Sequence, residues 1–232
     1  MNRLWVVAGK EFRGLVGRRG TVLTALFFSA LFGGMSSLGP SDLIGPDIAP
    51  GGPLFYYSIL LGVFLGFLNT GQVFLREKLD AVIETLLCSP AGLRELWLGK
   101  TLAVTLFAYV FAVGAAVLSV LIAGTGTGVL SAPGGALMLH LFVALPLVIA
   151  SLVGALGFSQ LLLGMKENRV IELLLFTPLL VGLYTVGYTS TPTPAVGLTE
   201  VAIIALMAIL ILLLLTVSTR FLSRERIVTS VF

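Results

Sequence analysis

The chain has 232 residues, 57% of them hydrophobic and only 11% charged, with a mean hydropathy of +1.08. Soluble domains carry roughly 25% charged residues, so this composition excludes an ordinary water-soluble enzyme and leaves little chain for a catalytic domain. The net charge of +3 makes no case for nucleic-acid binding, and a single cysteine, Cys88, excludes an intramolecular disulfide.

Residues 3–17, "RLWVVAGKEFRGLVG", come first. At 100° per residue Leu4, Trp5, Ala8, Phe12, Leu15 and Val16 share one side, and Arg3, Lys10 and Arg13 the other. An apolar face opposite a basic one predicts a helix lying in the membrane interface beside anionic headgroups. The first apolar run, 20–38, follows a basic stretch and resembles a signal sequence; its length and the lack of an A-x-A site predict a retained span instead. Five more runs, at 54–75, 101–123, 135–163, 173–188 and 198–219, are each long enough or nearly so for a bilayer crossing.

Within the second run, Gly62 and Gly66 form a G-x-x-x-G pair, and Asn69, Thr70 and Gln72 are the few polar residues near its end. They mark either a translocation path or dimer face (Gly62, Gly66, Asn69, Gln72) or routine helix packing. Residues 76–100, "REKLDAVIETLLCSPAGLRELWLGK", then hold eight of the 25 charged residues. On a helix over 77–88, Leu79, Val82, Ile83, Leu86 and Leu87 share one face, while Glu77, Asp80 and Glu84 stack on another. Ser89 can cap a second short helix with Pro90 at its first position, and "GLRELWLGK" leads into the third span. The Gly99-Lys100-Thr101 triplet resembles the end of a phosphate-binding loop, but Arg94 stands where that loop needs its first glycine, so no nucleotide site is expected.

Farther on, Pro146 and Pro178 lie inside the fourth and fifth runs and predict kinks. His140 is the one titratable side chain clearly within a run, and it is read as a packed residue rather than a proton relay. The linker 164–172 carries Lys166, Glu167 and Arg169, and Glu172 and Glu200 sit at run ends. The remaining loops are rich in Gly, Pro, Ser and Thr, as turns are.

All Lys and Arg residues fall in the N-terminal segment, the 76–100 and 164–172 linkers and the tail (Arg220, Arg224, Arg226), whereas the alternate loops carry only Asp42, Asp47 and Glu200. Short basic loops stay cytoplasmic. The expectation is therefore an all-α polytopic membrane protein with six transmembrane helices, both termini inside the cell membrane, and an N-terminal interfacial elbow helix.

The order of these segments resembles the permease subunit of a type-2 ABC exporter: a basic amphipathic helix, two spans, then an acidic motif ending in Ser-Pro and L-G-K before the third span. The matching residues are Arg76, Glu77, Glu84, Leu86, Leu87, Ser89, Pro90, Gly99 and Lys100, with Ala81-Val82 where the family has Gly-Thr. "GPDIAPGGPLFYY" and "DAVIETLLCSP" are also similar to the haem-exporter permeases of cytochrome c maturation, an overlap too generic to name a substrate.

The resemblance implies a permease that pairs with a second copy or a homologous permease. Each would dock a separate cytoplasmic ATPase, which binds ATP and Mg; this chain itself would bind no cofactor. Residues 77–97 would be the coupling helix, with Glu77, Asp80, Glu84, Ser89, Pro90, Arg94 and Glu95 as contacts. Lys166, Glu167 and Arg169 would form a smaller second contact, and Arg3, Lys10 and Arg13 the basic face of the elbow. Other readings are a secondary transporter, a membrane-embedded enzyme, or a non-transporting anchor of an ABC-type complex. The first two need intramembrane acids, His clusters or a nucleophile with its base.

Overall fold

A computed structural model describes residues 3–37, 51–75, 92–127, 134–162 and 197–219, with positions 170, 177 and 181 besides. The described chain is helical. Helix α1 spans Arg3–Gly17 and α2 Arg19–Ser37. Helix α3 spans Gly51–Thr70 and continues as a wider π turn, Gly71–Leu75. Helix α4 runs Leu93–Thr127. A short α5, Gly135–Leu139, passes through a second π turn, His140–Ala144, into α6, Leu145–Leu162. Helix α7 covers Leu198–Ser218.

Four of these stretches are long and apolar enough to cross a membrane: Leu54–Phe74, Leu93–Ile122, Gly135–Leu162 and Leu198–Ser218. The bent pair α1–α2 makes a fifth if counted as one span. The expected fifth run, 173–188, lies outside the described residues except for positions 177 and 181, and residues 76–91 and the tail from 220 lie outside them too.

Helix α4 is the hub, packing against α1, α2, α3 and α6, while α7 leans on α6 from outside. The buried face of α4 includes a series of small residues, Ala103, Ala108, Ala112, Ala115 and Ala116. In a lipid environment close backbone approach replaces the hydrophobic effect as the packing force, and small side chains permit it. Helix α2 exploits this most closely. A side chain at Gly33 would stand 2.9 Å from the Ala115 carbonyl oxygen, and Ser29 Oγ donates to the Phe111 carbonyl at 3.1 Å. The outward faces of α2, α4 and α7 stay apolar, with Leu23, Phe27, Leu106, Val110, Leu206 and Leu214 among the exposed residues, as lipid-facing helices require.

One boundary differs from the sequence expectation, and two helices carry a π turn. Helix α4 begins at Leu93, eight residues before the expected start of the third span at Thr101, so "LRELWLGK", expected to lead into that span, forms its first two turns. The physical reason is phase: Leu96, Trp97, Lys100, Val104, Phe107 and Ala108 recur at helical spacing and are all buried. The kink expected at Pro146 takes the form of a π turn just before it. A proline nitrogen at 146 cannot donate to the carbonyl of Phe142, and the helix widens over His140–Ala144 where that bond is missing. The π turn closing α3 has a different origin: Asn69 Nδ2 and Thr70 Oγ1 donate back to the carbonyls of Leu65 (2.7 Å) and Gly66 (2.6 Å). Such back-bonding loosens the helix it sits on, and Gly71 follows with little helix propensity.

Candidate functional site

The polar residues gather where α1, the end of α3 and the start of α4 meet. Helix α1 meets α2 at 78°. The break falls at Gly17-Arg18-Arg19-Gly20, where weak helix formers flank two cations and little propensity resists the bend. As a result α1 lies across the end of the bundle. Its apolar side proves to be two faces. Ala8 and Leu15 are buried, with Leu4, Val7 and Phe12 partly so, whereas Trp5, Val6 and Val16 remain exposed. Lys10 and Arg13 are exposed, and Arg3 opens the helix.

The contact between α1 and α4 is close because residue 99 is glycine: a side chain there would stand 2.9 Å from Val7 Cβ and 3.1 Å from the Leu4 carbonyl oxygen. One turn of chemistry follows at once. Lys100 is 3% exposed, and its ammonium donates to the Val73 carbonyl in the π turn at 3.0 Å. The same Nζ lies 3.9 Å from Glu11 Oε1 of α1 and 5.5 Å from the centre of the Phe74 ring. A buried ammonium is tolerated only with such partners. Glu11 also has Lys10 at 3.8 Å, but that side chain is 70% exposed, where water weakens the attraction.

Around this joint the packing is tight. Phe74 fills the space over Gly157 of α6, where a side chain would meet its ring at 2.7 to 2.9 Å. Trp97 Nε1 donates to the Gly154 carbonyl at 3.1 Å. On the outer side of the π turn, Gln72 is exposed and its Oε1 accepts from Arg18 Nη1 (3.4 Å) and Thr21 Oγ1 (3.3 Å). The elbow and the end of α3 are thus held from two sides.

The expected site residues are placed as follows. Gly62 and Gly66 pack against Ile149 and Val153 of α6. Asn69 is buried with its amide nitrogen on Leu65 O, and its Oδ1 has no partner among the described residues. Gln72 serves as the elbow tether. Glu95 accepts from the Gly92 N–H at 3.1 Å, an N-terminal cap on α4 that engages its carboxylate, while Arg94 beside it is exposed. Glu77, Asp80, Glu84, Ser89 and Pro90, and likewise Lys166, Glu167 and Arg169, lie outside the described residues.

At the opposite end of the bundle His140 is fully buried, its ring 4.2 Å from that of Phe55. Its Nε2 is 3.0 Å from Ser58 Oγ, and that hydroxyl in turn donates to the Phe55 carbonyl at 2.9 Å. The histidine is a packed residue tying the π turn to α3.

Two residues of the joint escaped the sequence reading. Glu11 went unremarked as one acid on a basic helix, and Lys100 was taken for the end of a linker. Their signal was the phase of α4, which turns Lys100 to the same side as Trp97 and Val104. No family model, curated protein sequence or solved structure matches the chain.

Proposed function

We propose that this chain is the transmembrane permease subunit of an ABC-type exporter, moving its substrate by alternating access driven by a separate cytoplasmic ATPase. The observation that supports it most is the joint at the α1 end of the bundle. An amphipathic helix, bent 78° from the helix it leads into, is docked through Gly99 and Lys100 onto the two helix ends that flank the acidic segment 76–91. A motor protein that pushed on this segment would act on two helices at once, as a lever between two packed states requires. In this reading α1 is the elbow helix at the cytoplasmic surface, residues 77–92 carry the docking surface, and Glu77, Asp80 and Glu84 meet basic groups of the ATPase. A second permease copy, or a homologous one, completes the pathway.

The test is co-expression with candidate ABC ATPase subunits, followed by co-purification in detergent and ATPase assay in proteoliposomes. Charge reversal at Glu77, Asp80 and Glu84 together should abolish co-purification or lower coupled ATPase activity about tenfold or more, because like charges across a contact cost several kcal/mol. A stable complex with unchanged coupling would make the acidic strip a solvated face. Failure of every ATPase to associate would overturn the assignment.

A further inference from the structure

We infer that the outward face of the elbow selects anionic phospholipid, holding the headgroup phosphates with Lys10, Arg13, Arg18 and Arg19. Periodicity alone predicts that the helix over 3–17 enters the interface by its apolar side. The fold uses that side elsewhere. Leu4, Ala8, Phe12 and Leu15 turn toward the bundle, and of the large apolar residues of α1 only Trp5, Val6 and Val16 are left exposed. The cations are not covered in this way: Arg13, Arg18 and Arg19 are exposed, and the Lys10 side chain is 70% exposed. An interfacial helix is held by the apolar area it inserts and by its attraction to anionic lipid. Here α4 has taken most of the first contribution, and the second is left to carry the attachment.

Three features fit this face to a lipid phosphate. Each cation stands next to a glycine: Gly9 beside Lys10, Gly14 beside Arg13, Gly17 beside Arg18 and Gly20 beside Arg19. A side chain added at any of these glycines would meet nothing within 4 Å, so a phosphate can come close to the backbone between the charged groups. A guanidinium then offers it a planar fork of donors. The charge is also of one sign. Among the described residues the acids are Glu11, Glu95 and Glu200; Glu11 lies against two lysines, and the other two cap α4 and α7. Arg18 does reach Gln72, but that partner is neutral and leaves the charge in place. Finally, the row of cations borders the apolar surface of α2, where Leu23, Leu26 and Phe27 are exposed within two turns or so of Arg19. Headgroups lie where acyl chains along that surface end. The inference goes beyond the transport reading, and its test needs no ATPase.

The experiment places a single indole among these cations, as Val16→Trp in a Trp5→Phe/Trp97→Phe background, with the full chain in nanodiscs of mixed phosphatidylglycerol and phosphatidylcholine. Bromine is carried on one lipid or the other, and quenching reports which of them sits beside position 16. Phosphatidylglycerol should be favoured about fivefold or more, the gain of roughly one cation at an anionic surface, and high salt should shrink the preference. Arg13→Gln/Arg18→Gln/Arg19→Gln should remove it. All three side chains are exposed, so that variant keeps its fold. Native mass spectrometry of the chain with both tryptophans intact gives a second reading: the triple variant should retain fewer bound phosphatidylglycerol molecules. Equal quenching by the two lipids overturns the proposal, as does a preference that survives in the triple variant. A preference that emerges only after Glu77→Gln/Asp80→Gln/Glu84→Gln overturns it too, since the cations would then belong to the chain's own acidic segment.

Discussion

At the residue scale, buried polar side chains mark the contacts most open to test. Ser58→Ala removes the oxygen that His140 Nε2 meets at 3.0 Å and leaves a buried imidazole nitrogen without that partner, a loss of about 1–3 kcal/mol. The double variant Ser58→Ala/His140→Leu should cost less than the sum of the two singles, because both ends of the bond then vanish together. Thermal unfolding in detergent, followed by the loss of helical circular dichroism, reads both. Gly99→Ala puts a methyl group against Val7 and the backbone of Leu4 and should lower stability by about 1–3 kcal/mol. Gly114→Ala, on the same helix with open space around it, should not. Neither Glu11 nor Lys100 could be paired from the sequence, since 89 positions separate them and only the crossing of two helices brings them together.

At the scale of the element, amphipathicity was legible and its allocation was not. The helix over 3–17 follows from its periodicity, and a helix with those bounds is present. Which apolar residues face protein and which face outward depends on where α4 lies. Leu15 and Ala8 went to the bundle, and Trp5 and Val16 did not. In a Trp97→Phe background Trp5 is the only indole. If α1 rests in the interface, its fluorescence should be quenched more by lipids brominated near the headgroup than by lipids brominated deep in the chains; the reverse order would place α1 elsewhere. Helix α4 teaches the complementary lesson. Charged residues at Arg94, Glu95 and Lys100 made its first two turns look like a linker, yet Arg94 faces out, Glu95 caps the helix and Lys100 is neutralised within the bundle.

For the whole molecule, the described residues hold four membrane-length apolar helices, or five with the bent pair. The expectation of six spans with both termini inside rests on the apolar runs and the distribution of Lys and Arg, and it is open to direct measurement. In a Cys88→Ser background, single cysteines at Asn2 and Ser230 should be labelled by a membrane-impermeant maleimide only in inside-out vesicles. A cysteine at Ser131 should be labelled only in right-side-out cells. Labelling of positions 2 and 230 from opposite sides would require an odd number of spans.

What the sequence determined by itself is the helical, strongly apolar class of the molecule and the approximate places of the four membrane-length helices among the described residues, because transfer of a 20-residue segment into lipid depends on its own side chains and little else. It also carried the amphipathic start of the chain and the place of the helix distortion near Pro146, both local properties of the backbone and its periodicity. Only the tertiary structure decided which face of each helix is covered, that Gly62 and Gly66 are taken up by α6, and that Lys100 sits in a three-helix joint with Val73 and Glu11. Those outcomes depend on how helices cross, and crossing is set by close packing between residues distant in the chain.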